Sequence, residues 1–198
     1  MEVKEEWEGI HVDDLWVYDK LILSKKLGYT CGPSGVDVPK AGRYVVRPTT
    51  NYRGMGREAT IEWIWDNTDY LHPSEFWCEV FEGEHISVDY FMGQSDLVVR
   101  GVRSSNELYK WDYWERVDWR IPFPDVLKDL KGKYPWINLE MIDGKVIEVH
   151  FRRNSDFLHG NTMMIPVWTG GIHMGLPEDQ EWRYIPEEDY HREGYWIN

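Results

Sequence analysis

Two apolar runs, Trp136 to Ile142 and Lys145 to Phe151, stand on either side of Asp143-Gly144, and no other short-range feature constrains this chain as strongly. A two-residue hairpin connection of type I′ needs positive φ at both central positions to match the twist of its strands, and Asp-Gly supplies it at little steric cost. The spacing predicts a β-hairpin, and hence an antiparallel sheet. Glu140 and Glu148 fall on its opposite strands, and their even separation of eight allows both to point to one face. Two converging carboxylates repel unless a cation or a raised pKa relieves them. Hard oxygen ligands of this kind suit Mg²⁺, which takes one or two carboxylates and leaves its other positions to water and phosphate oxygens. A solvated hairpin face would show the same spacing.

The rest of the chain reads as an α+β protein in which strands outnumber helices. Residues 14 to 27 carry Leu15, Tyr18, Leu21 and Ile22 at helical spacing, with Gly28 as a stop. Strands are predicted at Tyr44 to Val46, Ala59 to Trp65, Phe76 to Glu79, His85 to Met92 and Leu97 to Val102. A polar loop with two glycines, Thr49 to Arg57, joins the first two. Ser104 to Asp118 has no clean period, Asp125 to Leu130 is a short helix between prolines, and the last 40 residues read as loops and short elements wrapping the core. One domain over residues 1–198 is expected, with a first lobe at 14–95, a second at 96–160 and the wrap at 161–198.

Composition narrows the function classes. The 22 basic and 35 acidic side chains give a net charge of −13, and no basic run occurs, which argues against nucleic-acid binding. Twelve Trp and twelve Tyr within a 42% apolar chain are enough for a packed core. Neither a signal peptide nor an apolar membrane span is expected, which points to the cytoplasm. The two cysteines, Cys31 and Cys78, lie far apart in sequence, match no metal motif and read as inert. No histidine pair has the i, i+4 spacing of a helical zinc site.

Four segments, in order, resemble motifs of the ATP-grasp superfamily. Asp19-Lys20, then Gly28-Tyr29 and Val38-Pro39, is similar to the start of such domains. Val45-Val-Arg47-Pro48 followed by Gly54-Met-Gly56 resembles the strand with a phosphate-contacting lysine and its covering loop. Cys78 to Asp89 resembles the hinge strand and turn, and Glu140 to Arg152 the metal-binding hairpin with its Glu-x-Asn-x-Arg signature. The resemblance implies two small lobes with ATP and Mg²⁺ between them. It also implies activation of a small-molecule or peptide carboxylate as an acylphosphate, captured by an amine or similar nucleophile.

Carried over position by position, the resemblance makes Lys20 and Arg47 phosphate contacts, with Arg47 in place of the usual lysine. Glu79 and Phe81 become hinge residues beside the adenine, and Glu84 or His85 stands at the ribose position. Glu140 and Glu148 become metal ligands, joined by His150 where the family has asparagine, and Arg152 faces the transferring phosphate. Asn154 is an alternative source of the missing amide, and Arg53 or Arg57 would add charge from the covering loop. The chain begins almost at the Asp-Lys segment, so the resemblance implies an acceptor site completed by the C-terminal residues, a homodimer or a partner protein. A compact chain of this kind would suit a virus-encoded protein in a host cytoplasm. Two other readings are a degenerate nucleotide-binding protein without catalysis, and an acidic, Trp-rich protein-interaction module.

Overall fold

A computed structural model describes residues 9–50, 58–104, 107–170, 175–187 and 191–198. Its strands form two wholly antiparallel sheets. The smaller contains β1 (Cys31–Pro33), β2 (Gly42–Pro48), β3 (Thr60–Ile64) and β4 (Glu75–Glu79) in the order β1-β4-β2-β3. The larger contains β5 (His85–Phe91), β6 (Gln94–Val102), β7 (Tyr113–Arg116), β8 (Trp136–Ile142), β9 (Lys145–His150), β10 (Met163–Trp168), β11 (Arg183–Pro186) and β12 (Arg192–Ile197). Their order is β11-β12-β10-β7-β6-β5-β8-β9. With one short α-helix besides among the described residues, the class is α+β, as the sequence predicts.

Period-two patterning gives the large sheet two unlike faces. Ile86, Val88 and Tyr90 of β5, with Ile137 and Leu139 of β8, turn to a core closed by Val17, Leu23, Leu127 and Leu130. The alternate positions His85, Ser87 and Asp89 share the opposite face with Glu140 and Asn138, the cross-strand partners of Ser87 and Asp89. That face becomes apolar farther along the sheet, where Leu97, Val99, Met164, Tyr195 and Ile197 pack together under Phe157. The small sheet divides likewise. Tyr44, Val46, Ile64 and Trp77 form its own core, and the face bearing Arg47 turns to the large sheet, where Arg47 Nη2 donates to the Ile147 carbonyl at 3.3 Å.

The helix expected over residues 14–27 is broken at Asp19. A 3₁₀ turn covers Val12–Tyr18 and helix α1 covers Lys20–Lys26. Asp19 is extended (φ −86°, ψ 102°), and its carboxylate caps α1 by accepting from the Ile22 amide at 2.9 Å. The Lys20 amide donates to the Thr49 carbonyl at 2.7 Å, tying the start of α1 to the end of β2. At the other end Gly28 adopts φ 77° and stops the helix.

Two further readings are corrected. Part of the aperiodic stretch before Asp118 is β7, and the last 40 residues, expected as loops and short elements, contribute β10, β11 and β12. Alternation is missing from β10 because it is buried on both faces, from Met164 through Val167. Arg192 at the start of β12 is held by Asp156 at 2.9 Å and Glu187 at 2.5 Å. The covering-loop residues Arg53, Gly54, Gly56 and Arg57 lie outside the described residues.

Gly32 is required where β1 meets β4. A Cβ there would stand 2.6 Å from the Trp77 ring, which is fixed by its Nε1 donating to the Val36 carbonyl at 2.8 Å. Gly32→Ala is expected to cost about 1–3 kcal/mol through this overpacking, read as a lower urea midpoint at an unchanged slope.

Candidate functional site

The hairpin closes through Asp143 and Gly144 with φ 49° and 75°, the pair of positive angles that the sequence predicts. The even spacing of Glu140 and Glu148 does not by itself bring them together. Ile142 pairs with Lys145, so an unbroken ladder would set Glu140 against Ile147 and Glu148 against Leu139, turning Glu148 into the apolar core. A β-bulge prevents this. Pairing passes from Met141↔Val146 to Glu140↔Glu148, leaving Ile147 as the extra residue. The bulged residue's carbonyl is the one that accepts from Arg47.

Glu148 is the centre of the site. Its Oε1 meets Lys20 Nζ at 2.5 Å and Arg47 Nη1 at 4.0 Å, and its Oε2 meets His150 Nε2 at 3.4 Å. Lys20, Arg47 and Glu148 are 5%, 8% and 9% exposed, so the charges must neutralise one another. Burial would raise the Glu148 carboxyl, but Lys20, the hydrogen bond with His150 and Arg47 outweigh it and hold the group well below the usual carboxylate range. Burial draws the Lys20 ammonium downward, against the attraction of Glu148. Glu140, half-buried beside them, meets His85 Nε2 at 3.2 Å. One ligand atom each from Glu140, Glu148 and His150 lies within 4.8 Å of the others, a spacing that could hold a metal ion.

The other predicted residues are distributed around this centre. Residues 80–84 are the connection between the two sheets. Glu79 Oε1 accepts from the Thr30 amide at 2.8 Å, and Phe81 lies edge-on to Tyr29 at 4.7 Å with Lys145 Nζ over its ring. Glu84 is exposed and pairs with Arg100 at 3.0 Å. His85 packs edge-on against Trp111 and Trp114, at 4.7 and 5.5 Å between centroids. Arg152 follows β9, and its Nη1 donates to the Arg153 carbonyl at 3.0 Å. Asn154 turns to a different group, donating to Ser87 Oγ at 3.2 Å.

That group is what the sequence reading missed. Asn138 Nδ2 donates to Ser87 Oγ at 2.7 Å and to Asp89 Oδ1 at 2.9 Å, and the Asn154 amide donates to the same oxygen at 2.9 Å. It continues the polar face away from the Glu140 pair. The alternation of His85, Ser87 and Asp89 with Ile86, Val88 and Tyr90 was the signal that could have found it. Burial raises the Asp89 carboxyl, against these hydrogen bonds and Arg153.

No protein-family model matches the chain, and no curated protein matches it in sequence. Structural comparison finds a protein from Archaeoglobus fulgidus, described as an ATP-grasp superfamily protein, that is 16% identical at a TM-score of 0.49, over 92% of this chain and 64% of that one. The ATP-grasp ligase PsnB, complexed with its minimal precursor, is 14% identical at 0.43, over 73% of this chain and 54% of its own. D-alanine–D-alanine ligase from Bacillus anthracis is 18% identical at 0.38, over 73% of this chain and 59% of its own. The chain is similar in structure to ATP-grasp proteins. It spans less than two thirds of the length of each of these three.

Two predictions follow from the buried charges. Lys20→Met or Glu148→Gln alone should each cost about 3–5 kcal/mol, because each strands a buried charge, whereas the double variant should recover much of that loss. Urea unfolding of the four proteins measures the coupling. For Asp89, a raised folded pKa means that the native state holds the proton more tightly than the unfolded chain. Its stabilising contribution is present at acid pH and is lost as pH rises through the folded value. Asp89→Asn should flatten that decline in a series of unfolding curves.

Proposed function

We propose that this protein is an ATP-dependent ligase of the ATP-grasp type, binding nucleotide where the Arg47 face of the small sheet meets the polar face of the large one. The observation that carries the reading is the convergence of Lys20, Arg47, Glu140, Glu148 and His150, from three separated segments, on one point. The motif resemblance pairs these segments as phosphate contacts and metal ligands.

Two carboxylates fit a divalent cation, and its positive charge would stabilise the transferring phosphoryl group. Imidazole is a softer ligand than the amide oxygen it replaces and favours Mn²⁺ over Mg²⁺. Lys20 and Arg47 balance the two carboxylates when the histidines are neutral. Nucleotide phosphates would draw these cations off Glu148 and free its oxygens for metal. Lys20 and Arg47 would then neutralise phosphate oxygens, and the guanidinium fork of Arg47 would orient two of them. Arg152 lies two residues beyond His150, where the resemblance sets an arginine near the transferred group. The acceptor is a carboxylate, converted to an acylphosphate and captured by a nucleophile.

Thermal shift with ATP and with ADP tests this reading. Nucleotide plus Mn²⁺ should stabilise the protein by about 2.7 kcal/mol at a hundredfold excess over Kd. Mg²⁺ should need a higher concentration for the same shift, and His150→Asn should reverse that order. A protein that ignores nucleotide with every divalent ion would overturn the proposal. Binding without turnover on any carboxylate and amine would favour a degenerate nucleotide-binding protein, a reading to which the closed Lys20–Glu148 pair lends support.

A further inference from the structure

The only two cysteines of the chain, distant in sequence and expected to be inert, are direct cross-strand partners. β1 pairs with β4 in the register Cys31↔Cys78, Gly32↔Trp77, Pro33↔Phe76. Directly opposed residues share a face. The Trp77 side chain lies over Gly32 in the core of the small sheet, so both thiols project to the other face, the one that carries Arg47. The hydrogen-bond pattern sharpens this. The Glu79 amide donates to the Thr30 carbonyl at 2.9 Å, which makes Thr30 and Glu79 a hydrogen-bonded pair and the adjacent Cys31 and Cys78 a non-hydrogen-bonded one. Such pairs hold their Cα atoms about 4.5 Å apart, inside the range of about 4.4–6.8 Å that a disulfide spans.

We infer that Cys31 and Cys78 form a reversible dithiol–disulfide site, oxidised by a low-molecular-weight disulfide, that cross-links β1 to β4. Both thiols are free in this structure, Cys31 partly exposed and Cys78 buried. The order of events follows from that difference. The Cys31 thiolate attacks the incoming disulfide, forming a mixed disulfide and releasing one small thiol. Cys78 then attacks the Cys31 sulfur, forming the internal bridge and releasing the second. Two protein thiols are oxidised, the small disulfide is reduced to two thiols, and the two cysteine protons go to those products. Burial raises both thiols, Cys78 to about 11, which makes the exchange faster in alkaline buffer. Helix α1, which begins with Lys20, packs against β1, and its Ser24 neighbours the Cys78 thiol, so the bridge forms beside that helix.

The closed loop would contain β2 and β3, the greater part of the small sheet. Restricting that length of unfolded chain raises stability when the bridge fits the native register. The test incubates the folded, full-length protein with oxidised glutathione at pH 8. Intact mass should fall by two hydrogens, both thiols should become inert to a thiol reagent, and non-reducing peptide mapping should show a Cys31–Cys78 link. Tm should rise by several degrees and return with dithiothreitol. Cys78→Ser should instead retain one glutathione on Cys31. Persistence of free thiols, a stable glutathione adduct on the unmutated protein, a disulfide-linked dimer, or a fall in Tm on bridging would each overturn the proposal.

Discussion

A carboxylate buried on the polar face of a β-sheet cannot stand alone, and much of this architecture follows from how Glu148 is neutralised. Besides His150 on its own strand, its partners come from two other segments. Lys20 is the first residue of α1, and Arg47 sits near the end of β2 in the small sheet. One charge cluster therefore fastens the helix, the small sheet and the outermost ribbon of the large sheet to each other. The Lys20 amide reinforces this by donating to Thr49, just beyond β2. Removing Lys20 or Glu148 leaves a buried charge whose cost would far exceed that of a surface pair.

The same cluster is the reason the site has chemistry to offer. Cations that neutralise a carboxylate in the resting protein are also cations that can neutralise phosphate, and a carboxylate released by them is a metal ligand. In the proposed function, structure and ligand binding draw on one set of charges. Ligand binding in such a site exchanges partners and so avoids creating charges. The bulge at Ile147 turns Glu148 onto the polar face and offers a carbonyl to Arg47.

Away from this centre the large sheet grades from polar to apolar. Ser87, Asp89, Asn138 and Asn154 satisfy one another beside the carboxylates, and the face then closes over Leu97, Val99 and Met164. The aromatic wealth of the chain is spent here too. Trp111 and Trp114 lie close above Gly101, where a Cβ would stand 2.7 Å from the Trp111 ring, and they support His85 edge-on against Glu140.

Local sequence determined the Asp143-Gly144 turn, the α+β class, the stop at Gly28 and the carboxylate ribbon, because turn chemistry and periodicity act over a few residues. Motif order, through the family resemblance, marked Lys20, Arg47, Glu79, Phe81, Glu84, His85, Glu140, Glu148, His150 and Arg152, and of these the fold draws Lys20, Arg47, Glu140, Glu148 and His150 together. Tertiary structure alone decided that Glu148 would face Glu140. The turn counts residues in pairs, and only an inserted bulge residue, stabilised by contacts from elsewhere, could shift the parity. It also decided that Cys31 and Cys78 would be neighbours and that the C-terminal segment would be strands. Pairing between distant strands is fixed by which faces can be buried together, a property of the assembled sheets that no short window of sequence contains.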